Sequence, residues 1–372
     1  MASLSPLRSL TIADRRLAAL LLDDGPMLRS ELARRIGVSR PAITQMLASL
    51  DRYGLVEEGE ATRGTRGQPA RPVGIRGNAG YSAGVSFSHS YLDVAIIDIT
   101  GREVAFHRAR LTEPTPDAVA EVARLALATA RAQATIGTAD LIGLGFALPG
   151  DFRVDTLELQ AHRYFPAFDQ LDAHAFFQSR FAEPVFIEND GRTSAMGERL
   201  AGLGRGCRDF LLIHIGHGVG GGLFLNNRLY RGAHFNAGPL GTFFPLDAPR
   251  PSGQDLLETL RRRDIAAGDF DALDAIADDH PGEVEAWCVR AGGQLAPVLR
   301  HVADLIDPAF MIVGGRLPAR LLAKVARATG FPSENAPVRF AGQAPIVRPS
   351  LLAARAGAIG AASIPVLDLF YP

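Results

Sequence analysis

Cysteine is scarce in this chain: there are two, Cys207 and Cys288, far apart and in no CxxC pair. That excludes a disulfide framework and fits a reducing cytoplasm. A long apolar run near the start is also missing. The stretch 17–22 is too short for a signal peptide or a membrane span, and Asp23 and Asp24 follow at once. The expectation is a cytoplasmic chain with no membrane partner. Lysine is nearly absent. Of 39 basic residues Lys324 alone is lysine, a bias that a GC-rich genome explains better than chemistry does. The formal net charge is only −1, so the molecule as a whole does not announce a nucleic-acid partner. No solenoid-period repeat and no low-complexity tract is found.

What is present is a chain of 372 residues, 47% hydrophobic and 21% charged. That is length enough for two or three domains and a sizeable core. The charge is unevenly spread. Residues 1–76 hold twelve arginines against eight acidic residues, a basic head on an acidic body, so phosphate contact is expected of the head alone.

Residues 11–24 read as a helix with an apolar stripe of Ala13, Leu17, Leu20 and Leu21, broken by Gly25-Pro26. Ser30 is expected to cap a second helix through Ile36, which Gly37 ends. Ser39 caps a third, with Pro41 in its first turn, running through Ile43, Met46, Leu47 and Leu50 to about Tyr53. Two strand-like pieces follow, 55–58 and 72–75, around a tongue rich in glycine and arginine. Helix, helix, turn, helix, hairpin is the plan of a winged helix-turn-helix.

In such a unit the N-terminal half of the third helix enters the major groove. Ser39, Arg40, Ala42, Thr44 and Gln45 are therefore candidate DNA contacts: Arg40 for guanine edges, Gln45 for adenine, Ala42 for a thymine methyl. Ser39 and Thr44 suit phosphate. Arg63, Arg66 and Arg71 on the wing suit phosphate or the minor groove. Ile43 is equally readable as core.

After a short linker at 77–80 the pattern alternates strands and helices, an α/β architecture. Strands are expected at 82–87, 92–98, 103–110, 141–147, 184–188, 210–215 and 221–225, and helices at 116–134 and 191–202. The last third reads as mainly helical around a strand at 310–313. Asp190 stands at a strand end before a helix, where a carboxylate can accept a proton or hydrogen bond from a hydroxyl. The same place suits a helix N-cap.

Five segments, ALPGDFRVD (147–155), IENDGRTSAMGE (187–198), IGHGVGGGLFLNNRLYRGAHFNAG (215–238), DPAFMIVGG (307–315) and AGAIGAA (356–362), give the chain its resemblance. It resembles the ROK family (repressors, open reading frames and sugar kinases) over nearly its whole length. The resemblance implies a winged helix-turn-helix followed by a two-lobed sugar-kinase (actin-like ATPase) fold. DNA-binding residues 1–76 would precede an effector and dimerisation domain, 77–372. Its lobes would be roughly 80–190 plus 356–372, and 191–355.

A sugar would bind between the lobes. Asp190 matches the family's general base, with Asn189 beside it, and Pro149, Gly150 and Glu258 complete the expected effector contacts. Departures from the family pattern argue against catalysis. The first phosphate turn is replaced by Ser86, Ser88, His89 and Ser90, where close phosphate approach needs small residues. In the second, His217 stands between Gly216 and Gly218. The zinc ligands are replaced as well: Pro239 and Thr242 stand for a Glu and a His, and Pro249, Pro251 and Leu256 for three cysteines. His214, His217 and His234 lack a persuasive ligand spacing. No metal, no cofactor and no catalytic residue is expected. The expected protein is a transcriptional regulator, read as a repressor that forms a homodimer or higher homo-oligomer, whose partners are operator DNA and a sugar-like effector. An ATP-dependent sugar kinase with a fused DNA-binding head is the alternative.

Overall fold

The computed structural model describes residues 6–60, 71–136, 141–153, 156, 158–332 and 346–371. The head is built from α1 (Ile12–Asp24), α2 (Arg29–Ile36), α3 (Arg40–Arg52) and a wing of β1 (Val56–Glu58) paired antiparallel with β2 (Val73–Ile75). Thr11 and Asp14 close a capping box at the start of α1. The buried face of α1 is Leu17, Ala18, Leu21 and Leu22. This corrects the expected stripe: Ala13 is exposed and Leu20 half-buried, because the capping Asp14 takes an inward position. A second correction concerns Ser30. Leu28 holds the cap position of α2 and Ser30 lies in the first turn. Met27 exchanges backbone hydrogen bonds with Val73 of the wing, which fixes where the chain enters the helix. Ser39 caps α3 as expected, and Ile43, Leu47 and Leu50 face the core.

Each lobe of the body follows one plan. In the first, β3 (Tyr81–Phe87), β4 (Tyr91–Asp98) and β5 (Glu103–Arg110) form an antiparallel meander. Then α4 (Pro116–Ala134) crosses to β6 (Leu141–Leu148). A small hairpin, β7 (Gly150–Phe152) and β8 (Leu159–Ala161), and α5 (Ala173–Gln178) lead to β9 (Val185–Asn189), followed by α6 (Asp190–Ala201). The sheet order is β5-β4-β3-β6-β9, with β6 parallel to both neighbours.

The second lobe repeats this with β10 (Phe210–Ile215), β11 (Val219–Leu225) and β12 (Arg228–Tyr230) as the meander. Helices α7 (Gly253–Arg261), α8 (Leu273–Asp279) and α9 (Pro281–Ile306) lead to β13 (Phe310–Gly315). Next come α10 (Ala319–Ala328), β14 (Ile346–Pro349) and α11 (Ala356–Phe370). The order β12-β11-β10-β13-β14 has the same directions. Among its described residues the last third thus holds two strands, where the sequence pattern showed only the first.

The two closing helices are exchanged. Helix α11 packs on β3, β4 and β6, α6 packs on β10 and β11, and the two pack on each other. Glycine makes this possible. A Cβ at Gly84 would stand 2.0 Å from the Ala362 nitrogen, and one at Gly360 1.8 Å from the Thr193 carbonyl oxygen. The segment 353–370 is long and apolar enough to cross a membrane, but 78% of it is buried, as befits a core helix between the lobes.

Head and body share one hydrophobic cluster. Leu17, Leu21 and Leu22 of α1 belong to the same buried group as Ile97, Ile142, Leu200, Val366 and Phe370. The linker at 77–80 holds a single 3-10 turn, Gly77–Ala79.

Candidate functional site

On the head, Ser39, Arg40, Thr44 and Gln45 are exposed along the start of α3, and Ala42 is half-buried. The Ser39 hydroxyl accepts from the Ala42 N–H, and the Thr44 hydroxyl donates to the Arg40 carbonyl. Both reach the exposed face with those bonds already made. Ile43, exposed to 1%, is core. Arg71 is exposed at the base of the wing; Arg63 and Arg66 lie outside the described residues. Elsewhere on the head, arginines are tied to acids: Arg29 to Glu58, and Arg34 and Arg35 to Glu31.

Between the lobes lies a cleft of about 200 Å³. The turn after β6 supplies Pro149, Gly150 and Asp151; the start of α6 supplies Asn189, Asp190 and Arg192; the end of β10 and the turn after it supply His214, His217 and Gly218. His162, Pro239, Thr242 and Arg250 complete the wall. Four of the five expected effector contacts therefore stand together. Glu258 is not among the lining residues. It accepts from the Gln254 amide at 3.0 Å, and the Gln254 carbonyl oxygen lies 3.2 Å from His217 Nδ1, so Glu258 reaches the wall only through neighbours.

Asn189, rather than Asp190, caps α6: its Oδ1 accepts from the N–H groups of Gly191 and Arg192. Its Nδ2 donates to the Gly150 carbonyl at 2.7 Å, which ties the helix start to the opposite turn. Gly150 has φ +149° and no room for a Cβ, which would meet the Gln160 carbonyl oxygen at 2.5 Å. The Asp190 carboxylate accepts from the Gly191 N–H and has Oδ2 3.7 Å from His214 Nε2.

The tautomer of His214 follows from its other nitrogen. The Ser194 hydroxyl gives its hydrogen to the Asp190 carbonyl at 2.9 Å, so it must accept from His214 Nδ1. Nε2 is then a bare acceptor, and it is buried without a partner. Asp190 and His214 together are two acceptors facing one space, an arrangement that a ligand hydroxyl satisfies.

Burial pushes His162, His214 and His217 below the usual histidine range, His217 to about 3 with His89 and Arg316 adding to the effect. Burial raises the Asp151 carboxyl, against the pull of Arg192. Arg192 is held by Glu188 at 2.7 Å and Asp151 at 3.5 Å. Four buried side-chain nitrogens lack partners among the described residues: those of His162, Arg192, His214 and Arg250. All four residues line this cleft. The sequence pointed to neither His162 nor Arg250. Arg250 was nevertheless visible between the prolines that replace the first two cysteines of the zinc segment.

The turn after β3 is occupied by the protein's own groups. The Ser88 hydroxyl donates to Asp269 at 2.8 Å and lies 2.9 Å from His217 Nε2; the Ser90 N–H and hydroxyl both donate to Asp269; and Ser86 accepts from Arg316. His89 stacks on Phe165. Among the described residues no three His, Cys, Asp or Glu side chains converge to hold a metal. His234 is exposed and outside the cleft wall.

The cleft also has a route to the head. Helix α6 begins at the cleft with Asp190 and Arg192 and carries Arg199, which is buried, in its last turn. The Arg199 guanidinium donates to Asp23 of α1 at 2.6 Å and also to Asn227. The Tyr371 hydroxyl and the Asn227 amide donate to the same Asp23 carboxylate, and Arg205 donates to the Leu22 carbonyl.

A winged helix-turn-helix joined to a two-lobed, sugar-kinase-like fold with an interlobe cleft defines the class of this protein. The chain belongs to the ROK family, whose model it matches over residues 82–250. The uncharacterized protein y4fQ of Sinorhizobium fredii is 37% identical over 366 residues, 98% of this chain and 93% of that protein. The xylose repressor of Bacillus subtilis is 25% identical over 223 residues, 59% of this chain and 57% of that one. Among solved structures, a ROK family transcriptional regulator homologous to the E. coli MLC protein has a TM-score of 0.69 at 20% identity, covering 96% of both chains. A ROK family glucokinase from Streptomyces griseus, in complex with glucose and AMPPNP, has a TM-score of 0.62 at 20% identity, covering 77% of this chain and 99% of that one. At such identity these two likenesses speak for the fold.

Proposed function

We propose that this chain is a DNA-binding transcriptional repressor of the cytoplasm, controlled by a sugar or sugar-derived effector in the cleft and without kinase activity. The observation that carries this reading is α6, whose first turn lines the cleft and whose last turn grips α1 of the head. A change at Asp190 or Arg192 on effector binding is thereby delivered to the DNA-reading unit through one buried helix. The effector must bind one arrangement better than the other for this to regulate anything.

In this reading residues 1–76 bind DNA and 77–372 bind effector and pair with a second copy. Ser39, Arg40, Ala42, Thr44 and Gln45 enter the major groove, while Arg63, Arg66 and Arg71 hold phosphate or the minor groove. A homodimer matches paired half-sites. Since the head packs into the core of its own body, the spacing between two heads follows the arrangement of the two bodies. Pro149, Gly150, Asn189 and Asp190 contact the effector, and Glu258 acts through Gln254 and His217.

The kinase reading has the Asp190 carboxylate in its favour, since it stands in the cleft where a sugar hydroxyl would need a base. Against it, the backbone and hydroxyls that a phosphate would need after β3 are spent on Asp269. Titration of duplex upstream of the chain's own coding region, with and without a sugar panel, tests the proposal. A footprint relieved by one class of sugar supports it. Sugar-dependent ADP release abolished by Asp190→Asn would replace it with the kinase.

A further inference from the structure

Among the described residues no acidic side chain pairs with Arg250, a cation on the cleft wall. It sits between Pro249 and Pro251, which fix the local backbone, and is 9% exposed. One Nη donates to the Gly241 carbonyl, but Nε is buried without a partner. Burial lowers its basicity most, Arg163 adds to that effect and Tyr164 opposes it. The contrast with Arg192, on the same cleft, is direct: that guanidinium is held by Glu188 and Asp151. Buried guanidinium groups are expensive unless an anion meets them.

The two walls of the cleft therefore ask for different chemistry. Asp190 and His214 present acceptors, which suit hydroxyls. Arg250 presents a charged donor with a free N–H, which suits a carboxylate or phosphate oxygen. His162, half-buried with an unpartnered Nδ1 and within electrostatic reach of both Asp190 and Arg250, adds a further polar contact between them. The cleft volume of about 200 Å³ limits the ligand to a small molecule.

We infer, resting on the effector reading above, that the effector is an acidic sugar, its carboxylate or phosphate received by Arg250 and its hydroxyls by Asp190 and His214. Arg192, the other guanidinium buried on this cleft, already has Glu188 and Asp151 as counter-charges, which leaves Arg250 to receive the anion.

The test is calorimetry and thermal shift on the full chain with matched ligands: glucose, glucuronate, gluconate and glucose 6-phosphate, galactose with galacturonate, and inorganic phosphate alone. The expected result is that an acidic member binds roughly tenfold or more tightly than its neutral parent. The carboxylate and phosphate arms tell which anion is read. In Arg250→Met the preference disappears while the ligand-free melting temperature is not lowered, because the lost cation had no counter-charge; Arg250→Lys keeps part of the preference. A neutral parent that binds as tightly as its acid overturns the inference and leaves the effector reading intact. So does an acid preference that survives Arg250→Met. Inorganic phosphate binding as tightly as any acidic sugar overturns the sugar part of the claim. If no member of the panel binds, the effector reading falls, and this inference with it.

Discussion

At the scale of residues, the cleft is set by burial acting on histidine. His162, His214 and His217 are all held neutral, burial being the largest cause in each. Below the ordinary value of 6.5 the unfolded chain takes up protons that the folded chain refuses. Stability is therefore fully present above that value and falls as pH drops below it. The melting temperature is expected to decline between about pH 7 and pH 5, and His217→Gln should flatten the slope. A flat profile in the unmodified chain would mean that these imidazoles protonate in the fold as readily as in the unfolded chain.

Single-residue chemistry was partly legible in the sequence. Asp190 and Asn189 announced a strand end before a helix, yet both can cap, and only the geometry assigned the cap to Asn189 and freed Asp190 for the cleft. His162 belongs to no motif. Its place depends on a hairpin that folds back from β6, and periodicity does not report that.

At the scale of elements, α6 joins two environments. Ten of its twelve residues are buried, and its two ends contact the cleft and the head. The Arg199–Asp23 pair is almost enclosed, with side-chain exposures of 2% and 17%. Removing the acid strands a buried cation, which costs about 3–5 kcal/mol. Asp23→Ala should therefore lower the denaturation midpoint by that order and, on the regulator reading, leave DNA binding that no longer responds to effector. A variant with unchanged midpoint and full response would remove α6 from the coupling.

Most helices and strands were readable from caps and apolar runs, as with Ser39 opening α3 and the run at 92–98, whose strand is buried throughout. β14 was not, since four residues ending in proline carry too little pattern. The likeness of the two sheets was also hidden, because it lies in strand order and direction rather than in residue identity. AGAIGAA was visible as small residues, but the backbones they admit, Thr193 on one side and β3 and β6 on the other, are distant in sequence.

At the scale of the whole molecule, a basic head is packed into the core of a body whose polar cleft keeps donors and acceptors that have no partner among the described residues. On the regulator reading proposed above, these features serve one use, the conversion of binding by a small polar ligand into a change of DNA affinity. The central claim is sequence-specific DNA binding through the start of α3. Selection of bound duplexes from a random pool, using the full chain and its Arg40→Ala variant, addresses it most directly. The expected result is an enriched site of two inverted half-sites, with a guanine position relaxed in Arg40→Ala at a cost of about 1–3 kcal/mol. No enriched sequence, or an identical site selected by the variant, would contradict it.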